Sequence, residues 1–391
     1  MKSITLKLML LGVISIFSSA SIYSQEKLTF EGLIKDTNDY TIPYAAITIP
    51  SKNLGTSSTD EGTFLLSIPK EAVNDTLEIS TIGYKTFKIQ IKDFIQLEDK
   101  TIIIEEDIMQ LDDIVILATE EYPKLAVKNI KNTTLKNTFQ YNVLYRRSSV
   151  ENNVSRFFVE HYLKVKDNGP SSSTLRSIEL VEGRKSADYR FLKTKQWDHA
   201  IKYMVDQNLL RKKIKDKSFT WTKIDDTSYD GESVVIVEGQ SKKEKWLRIK
   251  LYIGLDNYSV YRFETTLNNA VYIYKKNKDG KLYLSYHKRE MKHSKKLTPQ
   301  QQAALGTTKA SMPVAYKHEA FVLEVITDKN KINVKDNMVD GVDMGDIKIP
   351  YHPEFWKNFS VPPMTKFYEK IKNDLESLYG VPIKTQFELV N

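Results

Sequence analysis

The sequence predicts two β-rich parts in series: an all-β sandwich at the N-terminus, then an α+β region on a curved antiparallel meander sheet with flanking helices. Three observations carry this. From Lys27 to Asp107, short alternating apolar and polar runs recur about every ten residues, with turn residues between them. Beyond residue 140 the alternating runs lengthen and are interleaved with stretches of helical period. The chain has 22 Tyr and 16 Phe against 15 Gly and 12 Pro, an aromatic enrichment that suits sheet.

At roughly 100–200 residues per domain, 391 residues predict two domains. Residues 1–24 read as a signal peptide. Lys2 and Lys7 precede an apolar core from Leu8 to Phe17, too short for a stable bilayer span, and small residues follow. Cleavage is expected near Ala20 or before Gln25; the rival reading is an uncleaved anchor. There is no Cys, which excludes disulfides, thiolate metal sites, a Cys nucleophile and a lipid-bearing cysteine. Loss of Lys2 and Lys7 with the leader takes the formal charge from +8 to +6. That mild excess fits an anionic lipid or polysaccharide and equally fits plain solubility.

In residues 25–107 the strands follow in order. "KLTFEGLIK" precedes a turn at Asp36-Thr37-Asn38-Asp39, then "YAAITIP". "GTSST" and "TFLLSIP" meet through Asp60-Glu61-Gly62, where Gly62 supplies the positive φ of a tight hairpin. "DTLEISTIGY", "KTFKIQI" and "TIIIEED" complete the set, with Gly83 at a corner. Residues 108–122 read as a last strand through "LDDIVILAT" and then a linker.

The spaced positions Gly32, Asp36, Pro43, Ala45, Gly55-Thr56, Thr59-Asp60, Gly62, Phe64, Pro69, Ile82-Gly83-Tyr84 and Leu111-Asp112-Asp113-Ile114-Val115 resemble the carboxypeptidase regulatory-like domain. The resemblance implies a seven-stranded, transthyretin-like sandwich, an interaction module without catalysis of its own. One departure is the turn at 36–41, where Asn38-Asp39 stands in for the usual glycine. Asp60 is read as a turn residue bonded to its own backbone.

In residues 123–391, "EYPKLAVKNIKNTTLKN" predicts a helix with Pro123 near its start. "DHAIKYMVDQNLL" predicts another, capped by Asp198, with Ile201, Val205 and Leu209 on one face. "LTPQQQAALG" has Thr298 as cap, Pro299 at the first position and Gly306 as stop; "TKFYEKIKNDLESLYGVP" stripes Phe367, Ile371, Leu375 and Leu378. Eight strands are expected: "YNVLYRRSSV", "RFFVEHYLKVK", "ESVVIVEGQ", "WLRIKLYIGLD", "VYRFETTL", "VYIYKKN", "KLYLSYHKREM" and "AFVLEVIT". The strands are too few and too helix-interrupted for a membrane barrel. The "YR" of the first long strand, Gly183-Arg184 and Phe355-Trp356 resemble a group of exported proteins of uncharacterised function. The hairpin "YIGLDNYSVYRFE" is similar to one in the half-barrel of periplasmic lipoprotein carriers. That likeness implies an apolar cavity closed by helices, where an acyl chain gains about 0.8 kcal/mol per buried methylene.

Chemistry-bearing patterns are sparse. The six His, at 161, 199, 287, 293, 318 and 352, form no H-E-x-x-H, and there is no G-x-S-x-G, P-loop or G-x-G-x-x-G. Asp336, Asp340, Asp343 and Asp346 are candidates for a calcium loop, although Met338 and Ile347 break the EF-hand pattern. The stretch 275–296 carries nine Lys or Arg with interleaved Tyr and reads as an exposed edge hairpin. On it Lys281, Tyr283, Tyr286, Lys288 and Arg289 are candidates for a partner or anionic-ligand surface. Glu179, Glu182 and Asp188, beside Arg184, are candidate carboxylates for glycan hydrolysis. Trp197, Trp221, Trp246 and Trp356 read as core anchors or a sugar platform.

The expectation is a non-enzymatic exported envelope protein, periplasmic or on a face of the outer membrane, without cofactor or nucleic-acid partner. It joins a β-sandwich interaction module to a domain binding an apolar or envelope ligand; the alternative is a hydrolase of envelope glycan or lipid.

Overall fold

The computed structural model describes residues 27–107, 117–175, 177–193, 199–212, 214–338 and 341–390. The expected leader, most of the strand expected through "LDDIVI", Trp197, Asp198 and Asp340 lie outside them.

The N-terminal strands are β1 (Lys27–Asp36), β2 (Ala46–Ile49), β3 (Leu54–Ser57), β4 (Thr63–Pro69), β5 (Thr76–Ser80) and β6 (Phe87–Gln90). They are followed by helix α1 (Ile91–Gln96) and β7 (Thr101–Ile104). Alternation on β4 buries Phe64, Leu66 and Ile68 and leaves Thr63, Leu65 and Ser67 half-buried, as a half-buried pleat requires. Gly62 turns the chain at φ +78°. Strands pair as β4-β1-β7 and as β3-β2-β5-β6, with one apolar core that includes Phe30, Ile47, Phe64, Ile79 and Phe94. Only the first set is a separate sheet. The second runs on into the large sheet through Leu54 opposite Glu324, so a free-standing seven-stranded sandwich is not what forms.

Helix α2 (Glu121–Thr133) leads into β8 (Phe139–Glu151), β9 (Val154–Asp167) and β10 (Ser177–Lys185). The short α3 (Tyr203–Asp206) precedes β11 (Phe219–Tyr229), β12 (Glu232–Ser241), β13 (Arg248–Gly254), β14 (Val260–Thr265), β15 (Ala270–Lys276) and β16 (Leu282–Lys296). Then come α4 (Pro299–Ala304), β17 (Ser311–Ile326), α5 (Pro353–Lys357), α6 (Lys366–Ser377) and α7 (Ile383–Val390). Ten of these strands form a curled antiparallel half-barrel in the order β11-β12-β13-β14-β15-β16-β17-β8-β9-β10. Register shifts that leave an extra residue on β9, β11, β14 and β16 bend the ladder, as bulges do. Asn152 and Asn153, both at positive φ, turn β8 into β9.

Two strands, β10 and β11, were not expected. Their charged or polar residues (Glu179, Glu182; Lys223, Asp225, Asp226) mask the alternation. The helix expected from Asp198 to Leu210 shrinks to one 3-10 turn, Ala200–Lys202, and the four-residue α3. His199 caps it, accepting from Ile201 N at 3.1 Å. Asn208 ends it: its Oδ1 accepts from Leu210 N and its amide donates to the Tyr274 hydroxyl, competing with helical pairing. Thr298 with Gln301 forms the capping box of α4, and Thr365 caps α6.

The inner face of the half-barrel lies under α2 and the 200–210 segment, which contribute Tyr122, Ala126, Ile201, Met204 and Val205 to its core. The outer face packs under α5, α6 and α7: Trp356 joins Leu144, Tyr286 and Phe321, and Tyr368, Ile371 and Leu375 join Phe158. The N-terminal region also meets this face. Tyr44 stacks on Tyr286 with centroids 4.9 Å apart, and Lys366 N donates to Glu61 at 2.8 Å. Asp60, expected to bond only its own turn, faces Lys317 Nζ at 3.4 Å. No helix among the described residues is long and apolar enough to cross a membrane.

The junction generates one prediction. A Cβ on Gly55 would lie 2.5 Å from the Ile47 carbonyl oxygen and 2.8 Å from Lys275 Nζ. Backbone cannot move aside cheaply, so Gly55→Ala is expected to destabilise the chain by about 1–3 kcal/mol in urea unfolding. An unchanged midpoint would show that the junction is loose.

Candidate binding face

Adjacent residues on a strand point to opposite faces, so the pair Arg146-Arg147 on β8 divides. Arg146 faces outward into an ionic network. Its guanidinium lies 3.8 Å from Glu160, 3.9 Å from Glu319 and 4.0 Å from the Tyr368 ring centroid. Arg184 binds the same Glu160 at 2.5 Å and lies over Trp356. Glu319 accepts from Tyr286 at 2.6 Å and from Tyr368. Burial alone would raise the Glu319 carboxyl; Lys317, Arg146 and the two tyrosine hydroxyls outweigh it and hold the group below its ordinary value.

Arg147 faces inward. Across the ladder, Arg289 on β16 sits opposite His318 on β17, and His318 opposite Arg147. One row along, His287, Ala320, Tyr145 and His161 follow in register. The inner face therefore carries two guanidiniums and three imidazoles at the centre of an apolar wall, and His199 adds a fourth from the cover. Arg147 is held by two hydrogen bonds to Asp343, at 2.8 and 2.5 Å. The Tyr145 hydroxyl donates to the Ala200 carbonyl at 2.9 Å, and His318 Nδ1 lies 3.2 Å from it. Because His199 Nδ1 accepts from Ile201 N, its Nε2 carries the proton and donates to His161 Nδ1 at 2.9 Å. His287 Nδ1 donates to the Val271 carbonyl, and its ring stacks on Tyr272.

Burial first, then neighbouring cations, keeps these imidazoles neutral. His161 and His318 lie well below the ordinary value. His199 is lowered to about 3, with Arg147 and Lys202 assisting. His287 is also lowered to about 3, by burial and then Arg289. Between α2, the ends of β8, β15 and β16, and residues 204–211 lies a cavity of about 30 Å³, the size of a water site. The acyl-sized cavity expected from the half-barrel is filled by Met204, Val205 and their neighbours.

The sequence-named surface is scattered. Lys281 is exposed and donates to the Asn132 carbonyl; Lys288 is half-buried and donates to Tyr44. Tyr283, Tyr286 and Arg289 are buried. The stretch is no edge hairpin, because β16 pairs with β15 on one side and along Tyr286–Lys296 with β17 on the other. Arg289 alone of the five belongs to the inner cluster. Asp336 accepts from Ile178 N, Asp343 is taken by Arg147, and no group of three or more metal-ligating side chains occurs among the described residues. Asp346 sits on the turn after Asp343, its N–H bonded to the Asp343 carbonyl. Glu179 accepts from Lys335 N, Glu182 binds His352, and Asp188 binds Arg190. Trp356 is buried, Trp221 lies against Gly239, and Trp246 is 57% exposed, so these three make no common platform. Arg147, His161, His199 and His318 were missed as a set. The available signal was charged residues inside strands apolar on both faces, as in "VLYRRSSV" and "AYKHEAFV".

The unfolded chain protonates its histidines below about pH 6.5 while the folded chain keeps the four inner ones neutral, so the unfolded state binds more protons there. Stability is therefore full above pH 6.5 and falls below it, by up to about 1.4 kcal/mol per pH unit for each such His. The melting temperature at pH 5 should lie clearly below that at pH 7.5, and a flat profile contradicts the buried neutral set. Asp343→Ala leaves Arg147 buried and unpaired, with an expected loss of about 3–5 kcal/mol in urea unfolding. Tyr145→Phe removes the bond to Ala200, so the amides of residues 201–206 should exchange about fivefold faster, for a loss of about 1 kcal/mol; unchanged exchange would show that the cover is held by other contacts.

Residues 30–116 match the CarboxypepD_reg-like domain. No curated protein matches the chain. Solved structures similar to it include a DUF1329 family protein from Desulfovibrio piger, 10% identical over 55% of this chain and 95% of that one, TM-score 0.27. A putative outer membrane lipoprotein-sorting protein domain from Vibrio parahaemolyticus is 10% identical over 54% and 94%, TM-score 0.26. A LolA superfamily protein from Nitrosomonas europaea is 11% identical over 56% and 99%, TM-score 0.20. Scores this low fix neither fold nor ligand, and the CarboxypepD_reg-like domain accounts for the front of the chain alone.

Proposed function

We propose that this is a non-enzymatic, exported cell-envelope protein that takes up an apolar ligand on the inner face of its half-barrel. In this reading residues 1–24 are the leader and residues 25–107 a two-layer interaction module. Residues 108–122 connect it to the binding body, 123–391. The protein works in the periplasm or at a face of the outer membrane.

One observation carries the reading. Among the described residues, the inner wall of Val143, Val159, Leu251, Phe263 and Tyr272 is covered by α2 and by two short helical turns. The second cover is held by side-chain hydrogen bonds at separate points: Tyr145 to Ala200, His199 to His161 at 2.9 Å, Tyr272 to the Tyr203 carbonyl at 3.3 Å, Gln207 to Asn268 at 2.9 Å and Asn208 to Tyr274, with Arg211 on Asp167 at its end. Ile201, Met204 and Val205 fill the space an aliphatic tail would use. Displacing them exchanges one apolar surface for another, so a tail gaining about 0.8 kcal/mol per buried methylene can compete with them.

Protein purified from its native envelope is expected to release a stoichiometric lipid on organic extraction, read by mass spectrometry. A fluorescent fatty-acid probe added to stripped protein should bind with saturation. Lipid-free protein that also fails to bind the probe would leave the chain a scaffold.

A further inference from the structure

Four arginines are buried among the described residues: Arg146, Arg147, Arg190 and Arg289. The first three have carboxylates, from Glu160 and Glu319, from Asp343, and from Asp188. Arg289 has none. It is 1% exposed, and its Nε and Nη1 have no hydrogen-bond partner. Its Nη2 meets only the Met291 sulfur, at 2.8 Å, and its guanidinium lies 3.7 Å from the centroid of the Tyr203 ring. A desolvated cation–π contact is worth about 2 kcal/mol, whereas an unpaired buried ion costs several. Tyr203 therefore leaves the charge undercompensated.

The neighbours deepen the imbalance. His318 faces Arg289 across the ladder, and His287 is two residues away on the same strand; the Nε2 atoms of both are buried without partners. The one carboxylate bonded within this row, Asp343, is engaged by Arg147. From His287 the same face continues into Tyr272 and Phe263, which stack with centroids 5.2 Å apart. An unpaired cationic donor thus stands beside the apolar wall, covered by an aromatic ring from the 200–210 segment.

We propose that Arg289 is the seat for an oxyanion head, carboxylate or phosphate, of an amphiphile whose tail lies along the inner face. Tyr203 covers that seat in the closed state. This rests on the inner face being the ligand-binding face and adds the chemistry of the head group. Guanidinium suits both heads: it stays charged when buried and supplies directed N–H donors to oxygen.

The test measures binding of dodecanoate, dodecyl phosphate and 1-dodecanol to the full chain by calorimetry, with Arg289→Met alongside. The wild type should bind both anions at least about tenfold more tightly than the alcohol, a difference of about 1.4 kcal/mol. Arg289→Met should keep the affinity for 1-dodecanol and lose the preference, with a melting temperature equal to or above the wild type. Arg289→Lys should retain part of the preference. If the wild type binds all three equally, the seat is wrong while the apolar reading stands; this arm needs no variant to fold. If none of the three binds, the apolar reading fails and the seat with it. Displacement of dodecanoate by millimolar acetate or inorganic phosphate would make a small free anion the occupant and overturn the amphiphile. A strongly destabilised Arg289→Met would make Arg289 structural and overturn the seat as well.

Discussion

Strand β17 is the constraint on which the rest depends, because it is paired along both edges. It bonds β16 from Ser311 to Phe321 and β8 from Val314 to Ile326. Where β16 leaves off, Glu324 accepts β3 as a further neighbour, so the N-terminal strands enter the same sheet. A strand paired on both edges has little freedom of register, and a one-residue slip would exchange its two faces. That slip would bring Glu319 inward and turn His318 out. The outer ionic network and the inner imidazole cluster both follow from that one register.

The two faces solve the problem of buried charge differently. Outside, Glu319 and Glu160 are shared among Arg146, Arg184 and Lys317, with tyrosine hydroxyls satisfying further oxygen lone pairs. Such a network ties the C-terminal helices to the sheet with specific geometry, although a buried ion pair is not by itself a large source of stability. Inside, the imidazoles stay neutral and give up their charge, Arg147 is matched to Asp343, and Arg289 is left over. The difference lies in what covers each face. The outer cover has long polar side chains within reach; the inner cover near Arg289 presents Tyr203 and aliphatic groups.

Much of the front of the chain was readable because its periods are short and its turns are marked. Phe64, Leu66 and Ile68 alternate into the core as written, and Gly62 takes its turn conformation. The caps at Thr298 and Thr365 were readable for the same reason: they are local chemistry within three or four residues. The stretch 275–296 was misread as an edge because nine basic residues suggest water. Yet β16 passes through the middle of the sheet, and Tyr286 and Arg289 are covered by elements tens or hundreds of residues away.

By itself, then, the sequence determined what depends on neighbours along the chain: strand period, turn residues, helix caps and the lack of thiol chemistry. Tertiary structure alone decided which residues share a face and what stands over it. Arg147, His318 and Arg289 are separated by up to 171 positions, 147 to 318, and meet only through the β8-β17-β16 ladder. Whether a buried charge finds a counter-charge is a property of that meeting. No local pattern encodes it, because pairing across strands depends on register and on the cover that packs above.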